Sequence, residues 1–180
     1  MRRIKISLAF FAIVCMIAWL DWRTCLRFLL CAAIHELGHL IAMKLCKVRC
    51  DHVTIGIDGA RIEAVFPSYG IEFICAFSGP LFGILFAIAC LYYIPRTAII
   101  SLFLSAVNLL PLYPLDGGRM LKSALCMYVD SDKARKVLRV LNAITCSILM
   151  ILACWMAVEW QSGLWPIFAS LTLLFRLGRD

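Results

Sequence analysis

Two histidines and a glutamate lie within one short stretch, His35-Glu36-Leu37-Gly38-His39. On a helix, residues i and i+4 share a face, so His35 and His39 can bind one ion together. Glu36 is rotated by about 100° from His35, which leaves it near the ion but available for proton transfer. These residue types at this spacing are typical of a zinc hydrolase.

The segment that carries this motif is apolar. Leu26–Cys46 is long enough to cross a bilayer as a helix. An ionised group at bilayer depth costs about 2.5–3.5 kcal/mol on insertion scales, so such groups usually mark a functional site. The placement therefore indicates a metal site within a membrane.

The composition indicates an all-α polytopic membrane protein. The chain has 180 residues, of which 63% are hydrophobic, with a mean hydropathy of +0.92. A soluble domain is nearer half apolar. The net charge of +7 indicates cytoplasmic loops beside anionic lipid, and without an aromatic-basic motif we expect no nucleic-acid partner. The 10 cysteines have no CxxC pairing and are interpreted as reduced thiols.

About six apolar segments predict six transmembrane helices in one membrane-embedded domain, residues 1–180. They lie near residues 5–20, 26–46, 71–94, 98–114, 137–158 and 163–177. The first, with its basic start, is interpreted as a retained span. Of the 18 Lys and Arg residues, all but Arg23, Arg27 and Arg96 fall in loops on one side. The charge distribution therefore predicts an integral, multi-pass protein with both termini cytoplasmic. We expect it in the bacterial cytoplasmic membrane.

A β-hairpin is predicted near residues 53–66. β-Branched and apolar residues flank Asp58-Gly59, a good two-residue turn. Lone hairpins are marginal in water, so we expect it to pack at the membrane edge, where its outer strand can accept an extended peptide. A plain cytoplasmic loop remains the alternative.

A catalytic zinc site needs a third protein ligand. His52 is the only other histidine, but it lies in a hydrophilic loop. Asp116 is the stronger candidate, because Pro111 and Pro114 interrupt the helical ladder just before it. The alternative is that Asp116 caps the helix that follows.

Asn108 lies in an apolar run two turns before Asp116. Its amide can hydrogen-bond a neighbouring helix, as polar residues in membrane bundles do. It can equally hold a substrate carbonyl or stabilise an oxyanion. The sequence leaves both roles open.

Together, these motifs resemble the site-2 protease family of intramembrane zinc metalloproteases. The resemblance rests on HELGH in a membrane helix, on NLLPLYPLDGGR from Asn108 to Arg119, and on Ser78-Gly79-Pro80. The short layout is similar to the sporulation-protease branch, here without PDZ or CBS domains. One departure is Gly83, where many relatives carry asparagine.

The resemblance implies a role for each matching residue. His35, His39 and Asp116 would bind one catalytic Zn²⁺, Glu36 would be the general base, and Asn108 would bind substrate. It also implies a membrane-spanning or membrane-associated regulatory protein as substrate, such as a sigma-factor precursor, with membrane proteins as regulators. Nothing indicates the oligomeric state.

Two other functions compete with this one. Intramembrane His and Asp also mark ion paths, as in a zinc or cation transporter. A transporter needs no glutamate beside its first ligand, whereas a protease does. A non-catalytic membrane scaffold is the second alternative, and it has no need for an intact ligand set.

Overall fold

The computed structural model describes residues 4–6, 21–56, 59–113 and 115–159. The chain divides into two compact units, Met1–Leu109 and Leu110–Asp180. The elements of the first unit are β1 (Ile4–Ile6), α1 (Trp22–Leu45), β2 (Arg49–Gly56), β3 (Gly59–Val65), α2 (Tyr69–Cys90) and α3 (Pro95–Asn108). Those of the second are α4 (Asp116–Tyr128) and α5 (Ser131–Glu159).

Local sequence sets both ends of α1. At the start, the Asp21 carboxylate accepts hydrogen bonds from the Thr24 hydroxyl at 2.6 Å and the Arg23 amide at 3.0 Å. The Thr24 bond is the main reason that the pKa of Asp21 lies below its usual value. The Arg23 bond satisfies a backbone donor that the first turn of a helix leaves without an intrahelical partner.

The end of α1 is a Schellman motif. Lys47 has a φ of 53°, a left-handed conformation that glycine usually supplies. The Val48 amide donates to the Met43 carbonyl and the Lys47 amide to the Lys44 carbonyl. The motif turns the chain directly from α1 into β2.

A three-stranded sheet follows α1, in the order β1-β2-β3. β2 and β3 pair antiparallel from Arg49↔Val65 to Gly56↔Gly59, with an irregularity between Cys50 and His52. The strands overlap the segment near 53–66 for which a hairpin was predicted, and residues 57–58 of its turn lie outside the described residues. β1 pairs parallel with β2, a contact that the sequence did not predict because it joins distant segments.

The first unit packs α1, α2 and α3 against one another through small and polar residues. The Ser101 hydroxyl donates to the Gly83 carbonyl at 2.8 Å, and the Cys31 thiol to the Thr97 carbonyl at 3.6 Å. A Cβ on Gly83 would overlap the Ser105 hydroxyl. Close backbone approach of this kind is typical of helices packed within a membrane.

Large apolar side chains of the same helices face outward. They include Leu30, Leu40, Ile74, Phe77, Leu85, Ile88, Ile99 and Phe103. A soluble protein rarely exposes so many together. By length and composition, two described helices, α1 and α2, can cross a membrane. Large apolar side chains outside, with small and polar residues between the helices, indicate that lipid surrounds them.

The predicted spans differ from the helices mainly at their ends. The span near 98–114 corresponds to α3, which ends at Asn108, since Pro111 cannot continue the ladder. The span near 137–158 lies within α5, which already begins at Ser131. Residues 5 and 6 lie in β1. The rest of the span near 5–20, and all of that near 163–177, fall outside the described residues.

The helix that the sequence left open beyond Asp116 is present, because α4 occupies residues 116–128. Gly117 and Gly118, which often form turns, are here helical and buried. A Cβ on Gly118 would overlap the backbone of Leu112 and Tyr113. Gly118 therefore serves close packing of the helix start on the preceding loop rather than a turn.

Candidate metal centre

His35 and His39 form a buried pair on one face of α1. Their exposed fractions are 4% and 7%, and their Nε2 atoms lie 3.3 Å apart. Two imidazole nitrogens about 2.0–2.1 Å from one tetrahedral zinc ion would be separated by about 3.3–3.4 Å. The spacing therefore fits two ligands of one ion.

A backbone carbonyl fixes the orientation of His39. Its Nδ1 lies 2.7 Å from the Cys75 carbonyl oxygen on α2. A carbonyl can only accept, so Nδ1 carries the proton and Nε2 presents a lone pair. This is the usual second contact of a metal-binding histidine. The Ser78 hydroxyl also donates to this carbonyl, at 2.7 Å.

Two glycines make room for the histidine face of α1. A Cβ on Gly79 would overlap Nε2 and Cε1 of His39 and lie 2.8 Å from its Cδ2. A Cβ on Gly38 would lie 2.6 Å from the Ser78 carbonyl oxygen. Both distances are shorter than van der Waals contact, so only glycine lets α1 and α2 approach this closely.

Replacing Gly79 by alanine is expected to displace the His39 ring and to weaken zinc binding by about 10- to 100-fold, the usual effect of disturbing a ligand's support. Gly83→Ala, one turn further along α2, is the matched control, because its Cβ would meet serine side chains of α3 and not the His39 ring. Zinc affinity measured by competition with a chelator checks both variants. Equal affinities for Gly79→Ala and the wild type would contradict this role.

Glu36 follows His35 on α1 and is partly buried. Its helical position places it beside the pair but rotated away from the face that the two imidazoles share. A carboxylate there can exchange protons with a water at the metal site without occupying a ligand position.

Asn108 is the last residue of α3. Its Nδ2 donates to the Leu104 carbonyl at 3.0 Å within the same helix. The side chain thus bonds back to the backbone of its own helix, one turn earlier. Its predicted role in substrate binding stays a prediction.

Asp116 belongs to the second unit and is 7% exposed. It is the first residue of α4, and the N-cap is Leu115, which makes no side-chain capping bond. An acid in the first helical turn is favoured by the helix dipole. Arg119 provides a counter-charge, with its Nη1 3.9 Å from Asp116 Oδ1. His52, the competing candidate ligand, lies in β2 opposite Glu63.

The sequence did not predict the supports of the pair. The Cys75 carbonyl belongs to the backbone and leaves no signature in a residue type. Gly79 was noted only as part of a Gly-Pro motif, although a glycine beside a proline within an apolar helix was the available signal.

Two comparisons with known proteins found a similarity. Residues 91–152 match the model of Peptidase family M50; the matched range contains Asn108 and Asp116 but not the histidine pair. The fold is similar to a solved structure, the site-2 protease from Methanocaldococcus jannaschii, with a TM-score of 0.71 and 19% sequence identity, over 96% of this chain and 86% of that one. No curated protein matches the chain. The chain therefore has the fold of a solved site-2 protease and carries a segment similar to Peptidase family M50, in agreement with the resemblance that its motifs indicate.

Proposed function

We propose that this protein hydrolyses peptide bonds of membrane-associated regulatory proteins within the bilayer, with one catalytic Zn²⁺. The observation that carries the proposal is the buried His35–His39 pair, with Nε2 atoms 3.3 Å apart in a helix apolar enough to span a membrane. A metal site at that depth can act on a substrate that is itself in the membrane.

His35, His39 and Asp116 would hold the ion. The role of Asp116 is supported by its place in the NLLPLYPLDGGR motif, by the family match that includes it and by the burial of its carboxylate. Two imidazoles and one carboxylate form a donor set typical of catalytic zinc. When bound, zinc lowers the pKa of a coordinated water and polarises a carbonyl.

The side chains of this chain carry the proton transfers. Glu36 takes a proton from the attacking water as the carbon–oxygen bond forms at the substrate carbonyl. As the carbon–nitrogen bond breaks, Glu36 returns that proton to the departing amine. Asn108 would turn its amide from its own helix to the substrate carbonyl and stabilise the developing oxyanion.

The surrounding layout would be six spans with both termini in the cytoplasm and the sheet at the membrane edge. Residues next to the strands, Val48 and Phe66, pack on a cluster of Ala42, Met43 and Cys75, which ties the sheet to α1 and α2. β2 lies between β1 and β3, so within the described residues the outer edge of β3 can receive a substrate strand. The substrate helix must unwind to expose its carbonyls.

The proposed substrates are single-span or membrane-associated regulatory proteins of a bacterium, cut under the control of other membrane proteins. The similarity to the sporulation-protease branch makes a membrane-associated sigma-factor precursor the first substrate to test. Co-expression with candidate substrates would identify it by a truncated product.

Metal removal tests the proposed reaction. The protein is placed in phospholipid vesicles with a candidate substrate that it cleaves on co-expression. Cleavage is then measured after treatment with 1,10-phenanthroline and again after excess Zn²⁺ is added. We expect chelation to abolish cleavage and zinc to restore it, since water is a poor nucleophile without the ion. Cleavage that continues at full rate after complete zinc removal would contradict the proposal.

The same vesicles separate the protease from a transporter. A transporter would move zinc across the bilayer in the absence of any peptide substrate. We expect no protein-dependent zinc flux and a cleaved product with new termini. Zinc flux without cleavage of any membrane substrate would favour the transporter.

A further inference from the structure

One polar side chain lies on the buried face of α5. Among the side chains of α5 that the structure describes, four at i+4 spacing are buried: Ala134, Leu138, Asn142 and Cys146. Asn142 is the only one with an amide, and it is 6% exposed. A buried amide that lacks a hydrogen-bond partner costs about 1–3 kcal/mol. Its presence there calls for a specific partner.

The partner is a backbone amide of the loop that leads to Asp116. The Tyr113 N–H donates to Asn142 Oδ1 at 3.1 Å. This amide lies between Pro111 and Pro114, neither of which has an N–H to donate. Asn142 therefore supplies to the loop a bond that no regular secondary structure provides.

Close packing couples the position of this loop to the position of the first turn of α4. Gly118 packs so tightly on Leu112 and Tyr113 that a Cβ would overlap their backbone. The Leu115 amide also donates to the Leu112 carbonyl at 2.8 Å. Asp116 lies between these two contacts in sequence. A shift of the Tyr113 backbone would accordingly move the first turn of α4.

We infer that Asn142 is a positioning residue for the metal centre: its amide oxygen holds the Tyr113 backbone on α5 and thereby fixes the place of the Asp116 carboxylate. The inference rests on the proposed role of Asp116 as a zinc ligand. Asn142 touches no reacting atom and acts only through the loop.

Two variants of Asn142 distinguish a role of its hydrogen bond from a role of its volume in packing. Asn142→Leu keeps the volume but removes the acceptor, whereas Asn142→Asp keeps an acceptor oxygen. For Asn142→Leu we expect zinc affinity to fall by about 10- to 100-fold, the range for supports of metal ligands, and kcat to fall with little change in KM. For Asn142→Asp we expect recovery of most of both losses. Ser147→Ala on the same helix, which loses only a bond to Ala143, is the control.

Folding is monitored by thermal unfolding, since a purely structural role would lower Tm without changing zinc affinity. Wild-type zinc affinity and kcat in a folded Asn142→Leu would overturn the inference. If that variant does not fold, hydrogen exchange of the Tyr113 amide in the wild type decides: slow exchange supports the bond, and exchange as fast as in an open loop overturns it. The proposed function fails separately, if Asp116→Ala binds zinc as tightly as the wild type.

Discussion

Replacing Glu36 by glutamine is expected to lower the rate of peptide cleavage by about 10²- to 10⁴-fold, the usual contribution of a general base. Glutamine has nearly the same shape but cannot take a proton from water. Zinc content should not change, because Glu36 lies off the face that His35 and His39 share. Cleavage rates in vesicles and zinc analysis of the same preparation measure the two quantities.

Glu72→Gln is the matched control for this variant. Glu72 lies in the first turn of α2, a helix that can also span a membrane, and no role in catalysis is assigned to it. The Glu72→Gln variant should cleave the substrate at the wild-type rate. An unchanged rate in Glu36→Gln, or a loss of zinc along with activity, would remove Glu36 from the role of base.

The histidine pair should behave as one unit. His35→Ala and His39→Ala are each expected to abolish measurable cleavage and to lower zinc affinity by at least about 100-fold, more than the loss of a supporting contact. The double variant should be hardly worse than either single one, because both side chains serve the same ion. Chelator competition for zinc gives the three affinities.

Leu40→Ala, next to His39 but 47% exposed, is the control for the pair. Its zinc affinity and its cleavage rate should match the wild type. Independent, additive losses in His35→Ala and His39→Ala would mean that the two imidazoles do not share an ion.

The local part of the metal centre could be predicted because helical periodicity fixes it. Once the segment is a helix, His35 and His39 share a face whatever surrounds them, and Glu36 lies beside it. The bounds of α1 and α2 could also be predicted to within a few residues, because long apolar runs dominate their sequences.

The rest depends on tertiary contacts that no local pattern encodes. The Cys75 carbonyl orients His39 only because α1 and α2 approach at Gly79. Lys47 takes the left-handed conformation of a glycine because the chain must turn from α1 into β2. Gly117 and Gly118 favour turns in isolation, whereas here both are helical and Gly118 allows close packing at the start of α4.

The third ligand is the central claim, and zinc affinity in two variants tests it most directly. Asp116→Ala removes the proposed carboxylate, and His52→Ala removes the competing imidazole. We expect one zinc per chain in the wild type, an affinity lower by about 100-fold or more in Asp116→Ala, and no change in His52→Ala. Wild-type affinity in Asp116→Ala, or a loss in His52→Ala alone, would contradict a site built from His35, His39 and Asp116.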